Sequence, residues 1–466
     1  MEVLTHYDNR AVATGFVRQH LDSIRQHSRH RVHFAAATYD AQPEFPLSLF
    51  DAVSLHFSVR LAFDWHLSPS LASRIAQFQG AKVLIIQDEY DMPLTACSWI
   101  RRLGIQTVLS CVPEANREAF YPAAAVPGVK FVQCLTGYIP DELPDPSRIR
   151  PLAERPVWLG YRGRRLPVWY GALAREKFEI GLQMRKRCDV RGLICDIEWS
   201  ESKRLEESAW FEFVLSCRAM LGTESGSNVV DSDGAIRREV QAAIQRNPDI
   251  TEVELYERYV KPHDNQVCMN QVSPKIFEAI ATRTALVLFE GAYSGVIVPN
   301  EHFIPLRKDF LNADDVLDRL GDSVKIQSMA DRAYRDVCKP ELYGYGRLAG
   351  LIDEAIERHA HSVPPDVTSD WSYVAVRNKR ADVDWGADVA NLPSTHPVRF
   401  REPHLAQPLP YAPLTSGLAR QIWLLLPESL RAAAGPWLLK AVKLARRRSA
   451  AVQQTWRRRA ESVQKP

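Results

Sequence analysis

The chain has 466 residues, more than one hydrophobic core ordinarily supports, so two domains and an appendage are expected. Its composition, 46% hydrophobic and 25% charged, is that of a globular protein, and a net charge of +3 points to no nucleic-acid partner. No apolar run reaches the length that spans a bilayer.

In chain order, short β-rich runs alternate with helical ones. EVLTH leads to a helix near 15–28, RVHFAAA and FDAVSLHF to one near 69–79, AKVLIIQ to one near 93–103, and QTVLS and VKFVQC follow. That rhythm predicts βαβ units and a parallel sheet over 1–150. PDELPDPSRIRPLAERP, with four prolines ahead of Pro156, ends it. The pattern restarts over 151–363. RPVWLGYRGR is a strand and turn, 170–187 a helix, VRGLICD a strand, 210–222 a helix running into a strand, and 235–261 a polar helical stretch. SPKIFEAIATRTALVLFEG (273–291) is then a helix and a strand, and HFIPL another strand. Two such halves in tandem make a cleft, with ligands at the carboxyl ends of the strands.

Six prolines between 391 and 413 make 364–415 an extended linker. From Lys440 onward nine Lys/Arg face one acid, Glu461, with Leu, Trp and Val interleaved, so 416–466 is predicted to form basic amphipathic helices. Their reading is either docking to an anionic membrane surface, packing on the domains, or binding a partner. Met1 precedes Glu2 and a strand-like run, without a secretory signal's basic and apolar regions, and the eight cysteines are scattered with no CxxC. A cytoplasmic protein with reduced thiols, peripheral to the inner face of the membrane if the tail binds lipid, is expected.

Ser273 and Pro274 form a helix start, a hydroxyl cap before the residue whose missing N–H costs nothing there. Ile276, Phe277, Ile280 and Ala281 make the apolar stripe, and Glu278 lies one step off it. Glu278 is then either a rim carboxylate paired to Lys275 at i, i+3, or a ligand group facing the cleft.

With PNEHFIPL following, this segment resembles the nucleotide-sugar segment of GT-B-fold glycosyltransferases, where FEAxAxGxPV precedes a strand. More loosely the resemblance covers 1–360 and is nearest to bacterial CgeB-like proteins. It implies a GT-B fold of two Rossmann-like doubly wound domains, with Glu278 accepting the ribose hydroxyls of a nucleotide-diphosphate sugar. A carboxylate offers acceptors only, and a vicinal diol offers two donors. Ser273, Lys275 and the helix N-terminus would face the diphosphate. So would Arg162, Arg164 and Arg165 in GYRGRRLP, unless they sit on a solvated turn. Glu224 in LGTESGSN is a sugar-hydroxyl acceptor or a turn acid. Asn270 stands eight positions before Glu278, where many retaining members carry a second glutamate, and Arg283 replaces the family's glycine.

In the first half, His56 after FDAVSL is either near the donor sugar or half-buried. His6 with Asp8, in LTHYDN, would form a general base in the manner of inverting GT-B enzymes. Asp88 and Glu89 in QDEY are acceptor ligands or a helix cap. Asp231-Ser232-Asp233 has the DxD form of a metal site but reads as a turn. There is no GxGxxG after the first strand and no GxxxxGK[ST].

The resemblance implies a glycosyltransferase acting on a glycan, lipid-linked or small-molecule acceptor, in cell-surface polysaccharide or glycoconjugate synthesis, without metal or other cofactor. The alternatives are a nucleotide-sugar epimerase of the same fold, or a non-catalytic glycosyltransferase-like protein docked through its basic tail.

Overall fold

A computed structural model describes residues 1–360 apart from 39, 40, 42–44, 64, 65, 206 and 268. The linker 364–415, the tail 416–466 and Cys268 thus lie outside the described residues.

The first half runs β1 (Glu2–Tyr7), α1 (Gly15–His27), β2 (Arg31–Ala36), β3 (Ala52–Leu55), α2 (Pro69–Gln77), β4 (Ala81–Ile86), α3 (Pro93–Leu103), β5 (Thr107–Ser110), α4 (Arg117–Phe120) and β6 (Lys130–Gln133). All pairings are parallel, in the order β2-β1-β3-β4-β5-β6. β3, β4 and β5 are buried along their whole length, as strands covered on both faces must be.

The second half begins with β7 (Val157–Arg162), α5 (Ala172–Val190), β8 (Cys195–Glu198), α6 (Glu207–Ser216), β9 (Cys217–Gly222), β10 (Ser225–Ser227) and α7 (Ala235–Arg246). It continues with α8 (Glu252–Leu255), β11 (Met269–Gln271), α9 (Pro274–Ala281), β12 (Ala285–Phe289) and β13 (Ile304–Leu306). Its parallel sheet has the order β13-β12-β9-β7-β8, and β10 and β11 form a separate antiparallel pair. The polar stretch expected to be helical over 235–261 is interrupted: α7 stops at Asn247, the residue before Pro248, and Thr251 starts α8 with a reciprocal capping box to Glu254.

α10 (Ala313–Gly321), α11 (Ser323–Val337), α12 (Pro340–Tyr343) and α13 (Tyr345–Glu357) complete the described chain. α13 falls within the segment assigned to the second half, yet it packs on α1, β4 and β5 of the first. Tyr345, Leu348, Ile352 and Ile356 bury its apolar face, and the buried Asp353 accepts hydrogen bonds from Ser28 Oγ at 2.6 Å and the Arg29 amide at 2.7 Å. Replacing Asp353 by Ala should cost roughly 3 kcal/mol, because two partly buried donors lose a buried charged acceptor. An unfolding free energy from urea titration that changes by less than about 1 kcal/mol would place the anchoring of α13 in its apolar face alone.

On another flank, Asp91 of the first half is buried among Arg60 Nη2 at 2.8 Å, Tyr170 Oη at 3.2 Å and the Arg237 guanidinium. Tyr170 and Arg237 belong to the second half. The halves are therefore joined at both flanks, with a cavity between them.

Candidate nucleotide-sugar cleft

The cavity has a volume of about 1040 Å³ and is walled by both halves. On the second-half side, the start of α9 contributes Ser273, Lys275 and Glu278. This start is set against the segment joining the halves: a Cβ at Gly137 would lie 2.9 Å from the Pro274 Cα, so only glycine lets the two backbones approach.

Glu278 is half-buried, and its Oε2 accepts a hydrogen bond from Trp210 Nε1 at 2.7 Å. Burial raises its carboxyl above the ordinary range, against the Trp210 bond and the Lys275 charge. Lys275 does not close the expected i, i+3 pair; its Nζ donates to the Arg162 carbonyl at 2.6 Å and lies 5.3 Å from the Trp210 ring centroid. Ser273 occupies the N-cap position, but its hydroxyl makes no capping bond. The first amides of α9 are thus not spent on it, which suits an anion arriving from the cavity.

The three arginines of GYRGRRLP part company. Arg162 is on the wall but committed: it pairs bidentately with Asp196 at 2.9 and 2.8 Å and stacks 4.0 Å above Phe213. Arg165 ion-pairs with Glu252 and stacks on Phe178, away from the cavity wall. Arg164 alone projects from the wall as an exposed cation. Beside it stands a residue that the sequence reading passed over, Lys177 on α5, which also lines the cavity. Burial pushes its ammonium down to about 8, Asp88 across the cleft favours the charge, and Lys275 and Arg164 oppose it. Gly163 lets the loop close on α5, since a Cβ there would meet the Lys177 carbonyl at 2.9 Å. Arg164, Lys177, Lys275 and the open end of α9 form a cationic cluster.

Glu224 and Asn270 lie behind the wall. Glu224 Oε1 accepts from the amides of Ala292 at 3.1 Å and Tyr293 at 2.8 Å, and Oε2 accepts from Asn270 Nδ2 at 2.9 Å. Asn270 itself is bonded back through Asn228. Their neighbours Thr223 and Ser225 line the cavity instead. The pair fixes the loop after β9, a structural use of the position expected to touch the sugar.

On the first-half side, Asp88 and Glu89 separate. Asp88 adopts a left-handed backbone, φ 55°, that aims it into the cavity, where it accepts from Tyr90 Oη at 2.7 Å. Glu89 turns the other way and is buried, accepting from Ser110 Oγ at 2.5 Å, Tyr121 Oη at 2.7 Å and the Cys111 amide at 2.9 Å. Burial nevertheless pushes its carboxyl up to about 7.

The histidines stand off the cavity wall. His6 is fully buried, with Nδ1 3.2 Å from the Ala35 carbonyl. Asp8 serves His66 at 3.2 Å, the Arg10 amide at 2.9 Å and Thr38 Oγ1 at 3.1 Å rather than His6. His56 is buried against His20, Nε2 to Nδ1 2.9 Å, with the Ser58 amide donating to its Nδ1. A strand-end histidine reaches the cleft only if its side chain points along the strand, and these point into the layer between sheet and helix. Asp231 caps α7 by accepting from the amides of Ile236 and Arg237, both at 3.0 Å, so the DxD is a helix start.

No protein-family model matches the chain, and no curated protein sequence does. Among solved structures, it is similar to HepE from Anabaena, crystallised in complex with UDP and glucose, at 11% identity over 77% of this chain and 100% of that one, with a TM-score of 0.43. It is also similar to sucrose-phosphate synthase from Thermosynechococcus elongatus, at 12% identity over 77% and 98% of the two chains, TM-score 0.39. AviGT4, a glycosyltransferase involved in avilamycin A biosynthesis, is similar at 12% identity over 77% and 98%, TM-score 0.38.

The fold is GT-B. Two doubly wound parallel sheets face each other across a cleft, and the last described helix returns to the first half. Among the described residues no three His, Cys, Asp or Glu side chains come together as a metal site, and no helix is long and apolar enough to cross a membrane.

Proposed function

We propose that the protein is a glycosyltransferase that binds a nucleotide-diphosphate sugar in the cleft and transfers the sugar to an acceptor hydroxyl. The observation that carries this reading is the juxtaposition at α9: a carboxylate oriented by Trp210, one turn from an open helix N-terminus flanked by Lys177, Arg164 and Lys275. Glu278 accepts from the ribose hydroxyls, and the cations and helix end take the diphosphate. When the bond from the sugar carbon to the diphosphate oxygen breaks, negative charge accumulates on that oxygen, and fixed cations lower the barrier most where charge develops. In this reading the side chains and the helix end supply that charge, without a divalent metal.

The chain should gain thermal stability from at least one of UDP, GDP and dTDP; at 100 times Kd a ligand contributes about 2.7 kcal/mol. No shift with any of them would favour the non-catalytic reading. Lys177→Met should weaken nucleoside-diphosphate binding by about tenfold. Affinity of the unaltered protein should fall above about pH 8, as the Lys177 ammonium deprotonates, and Lys177→Arg should remove that alkaline limb. An unchanged affinity in Lys177→Met would remove the residue from the site.

A further inference from the structure

Two pairs of cysteines come together in the fold, and they differ in what can reach them. Cys111 and Cys134 follow the ends of β5 and β6 with their Sγ atoms 3.8 Å apart, but both are buried, and the neighbouring thiol together with burial pushes Cys111 well above its ordinary value. A thiol held protonated and away from solvent is inert. Cys188 and Cys195 stand on α5 and β8, on either side of the turn 189–194. That turn is a tight helix stop: the Leu193 amide donates to the Cys188 carbonyl at 2.9 Å, the Gly192 amide to the Asp189 carbonyl at 3.2 Å, and Gly192 takes the left-handed φ of 63° that the reversal needs. The chain leaving it brings Cys195 against the core cluster that contains Cys188, and the two thiols share a hydrogen bond. Cys188 is fully buried, whereas Cys195 is half-buried. The hydrogen bond from Cys188 holds the Cys195 thiol below its ordinary value, aided by the Arg185 charge and opposed by burial, Asp189 and Asp196. A reachable cysteine that ionises readily, beside a buried one, is the arrangement of a sensing thiol and a resolving thiol.

We infer that Cys188 and Cys195 form a reversible disulfide on exposure to peroxide, and that this bond disturbs the cationic cluster of the cleft through Asp196. The sulfur chemistry stands by itself; the effect on the cleft rests on the nucleotide reading above. The Cys195 thiolate attacks one oxygen of hydrogen peroxide, the O–O bond breaks, and a sulfenic acid forms while the departing hydroxide takes up a proton to become water. The Cys188 sulfur then attacks the Cys195 sulfur, the S–O bond breaks, and the hydroxyl leaves with the Cys188 proton as a second water. The pair has given up two electrons and two protons, and the peroxide has become two waters. Bringing the sulfurs from hydrogen-bond contact to about 2.05 Å draws the start of β8 onto α5. The next residue, Asp196, holds the Arg162 guanidinium at 2.9 and 2.8 Å, and the Arg162 carbonyl receives Lys275 Nζ at 2.6 Å. A shift at Cys195 therefore passes through two contacts to a cation of the cluster.

The test treats the full chain with stoichiometric hydrogen peroxide, alkylates it and digests it with trypsin. Cleavage after Arg187, Arg191 and Lys203 puts the two cysteines on separate peptides, 188–191 and 192–203, which should be recovered joined and should part on treatment with dithiothreitol. The oxidised protein should bind the preferred nucleoside diphosphate about fivefold more weakly, and by linkage that nucleotide at saturation should disfavour the disulfide by the same factor in a glutathione redox buffer. Cys195→Ser should bind alike with and without peroxide. Cys188→Ala should leave a sulfenic acid on Cys195 that dimedone traps, and Cys188→Ser should do the same if the alanine variant folds poorly. Recovery of the two peptides unjoined from the oxidised chain overturns the disulfide, and a joined pair with unchanged affinity overturns its connection to the cleft. Failure of every nucleoside diphosphate to bind the reduced protein removes the nucleotide reading instead, and the peptide result still decides the disulfide.

Discussion

Glu278→Ala should raise the Kd for the preferred nucleoside diphosphate by about 10- to 100-fold, the range expected when hydrogen bonds to a buried charged acceptor are lost. The chemistry of the partner can be read in the same experiment. If the carboxylate accepts from the ribose, the unaltered protein discriminates against 2′- and 3′-deoxy nucleotides, and Glu278→Ala abolishes that discrimination, leaving the two losses non-additive. Trp210→Phe should give a smaller loss in the same direction. The indole occupies Oε2 and so holds the carboxylate plane in place on the cavity wall. A Kd within twofold of the unaltered value in Glu278→Ala would return Glu278 to being a rim carboxylate.

The features legible in the sequence were those with local causes. Alternation of apolar runs and helical stretches located both sheets, and Ser273-Pro274 located the start of α9. Pairings between distant residues were not legible. Arg162 has the charge and position of a phosphate ligand, but Asp196, on the neighbouring strand, takes its guanidinium, and nothing in GYRGRRLP announces a partner 34 residues away. Lys177 was hidden for the opposite reason: it lies inside a helical stretch whose charges read as solvated, and only the closure of Gly163 on α5 puts it on a cavity wall. Asp88 and Glu89 show how fine the division is. One left-handed residue sends two adjacent carboxylates to opposite sides of the cavity wall. The return of α13 to the first half depends on Asp353 meeting residues 28 and 29, a separation no local pattern encodes.

The buried histidines, which stand off the cavity wall, should dominate the protein's response to acid. Burial holds His6 at about 4, His20 at about 3 and His56 well below its ordinary value, so all three are neutral in the folded protein at pH 6. The unfolded chain takes up protons near pH 6.5, and the folded one does so only far lower. Unfolding therefore binds protons, and stability present above pH 6.5 is lost as the pH falls toward the folded values. Glu89 opposes this: its folded value of about 7 lies above its unfolded one of 4.5, so between those limits it stabilises the fold as pH falls. Each group contributes about 1.4 kcal/mol per pH unit while it titrates in one state only. Three histidines outweigh one glutamate, and the urea midpoint should drop steeply between pH 6.5 and 5, a loss on the order of a few kcal/mol. Glu89→Gln should make that fall steeper, and His20→Asn with His56→Asn should make it shallower whatever they do to absolute stability. A midpoint that is flat or rises on acidification over this range would show that these rings are not held neutral. His20 and His56 lie against each other under α1, with His20 edge-on to Tyr345 of α13 at 5.7 Å. The element that acid loosens is therefore α1, the helix whose other face lines the cleft.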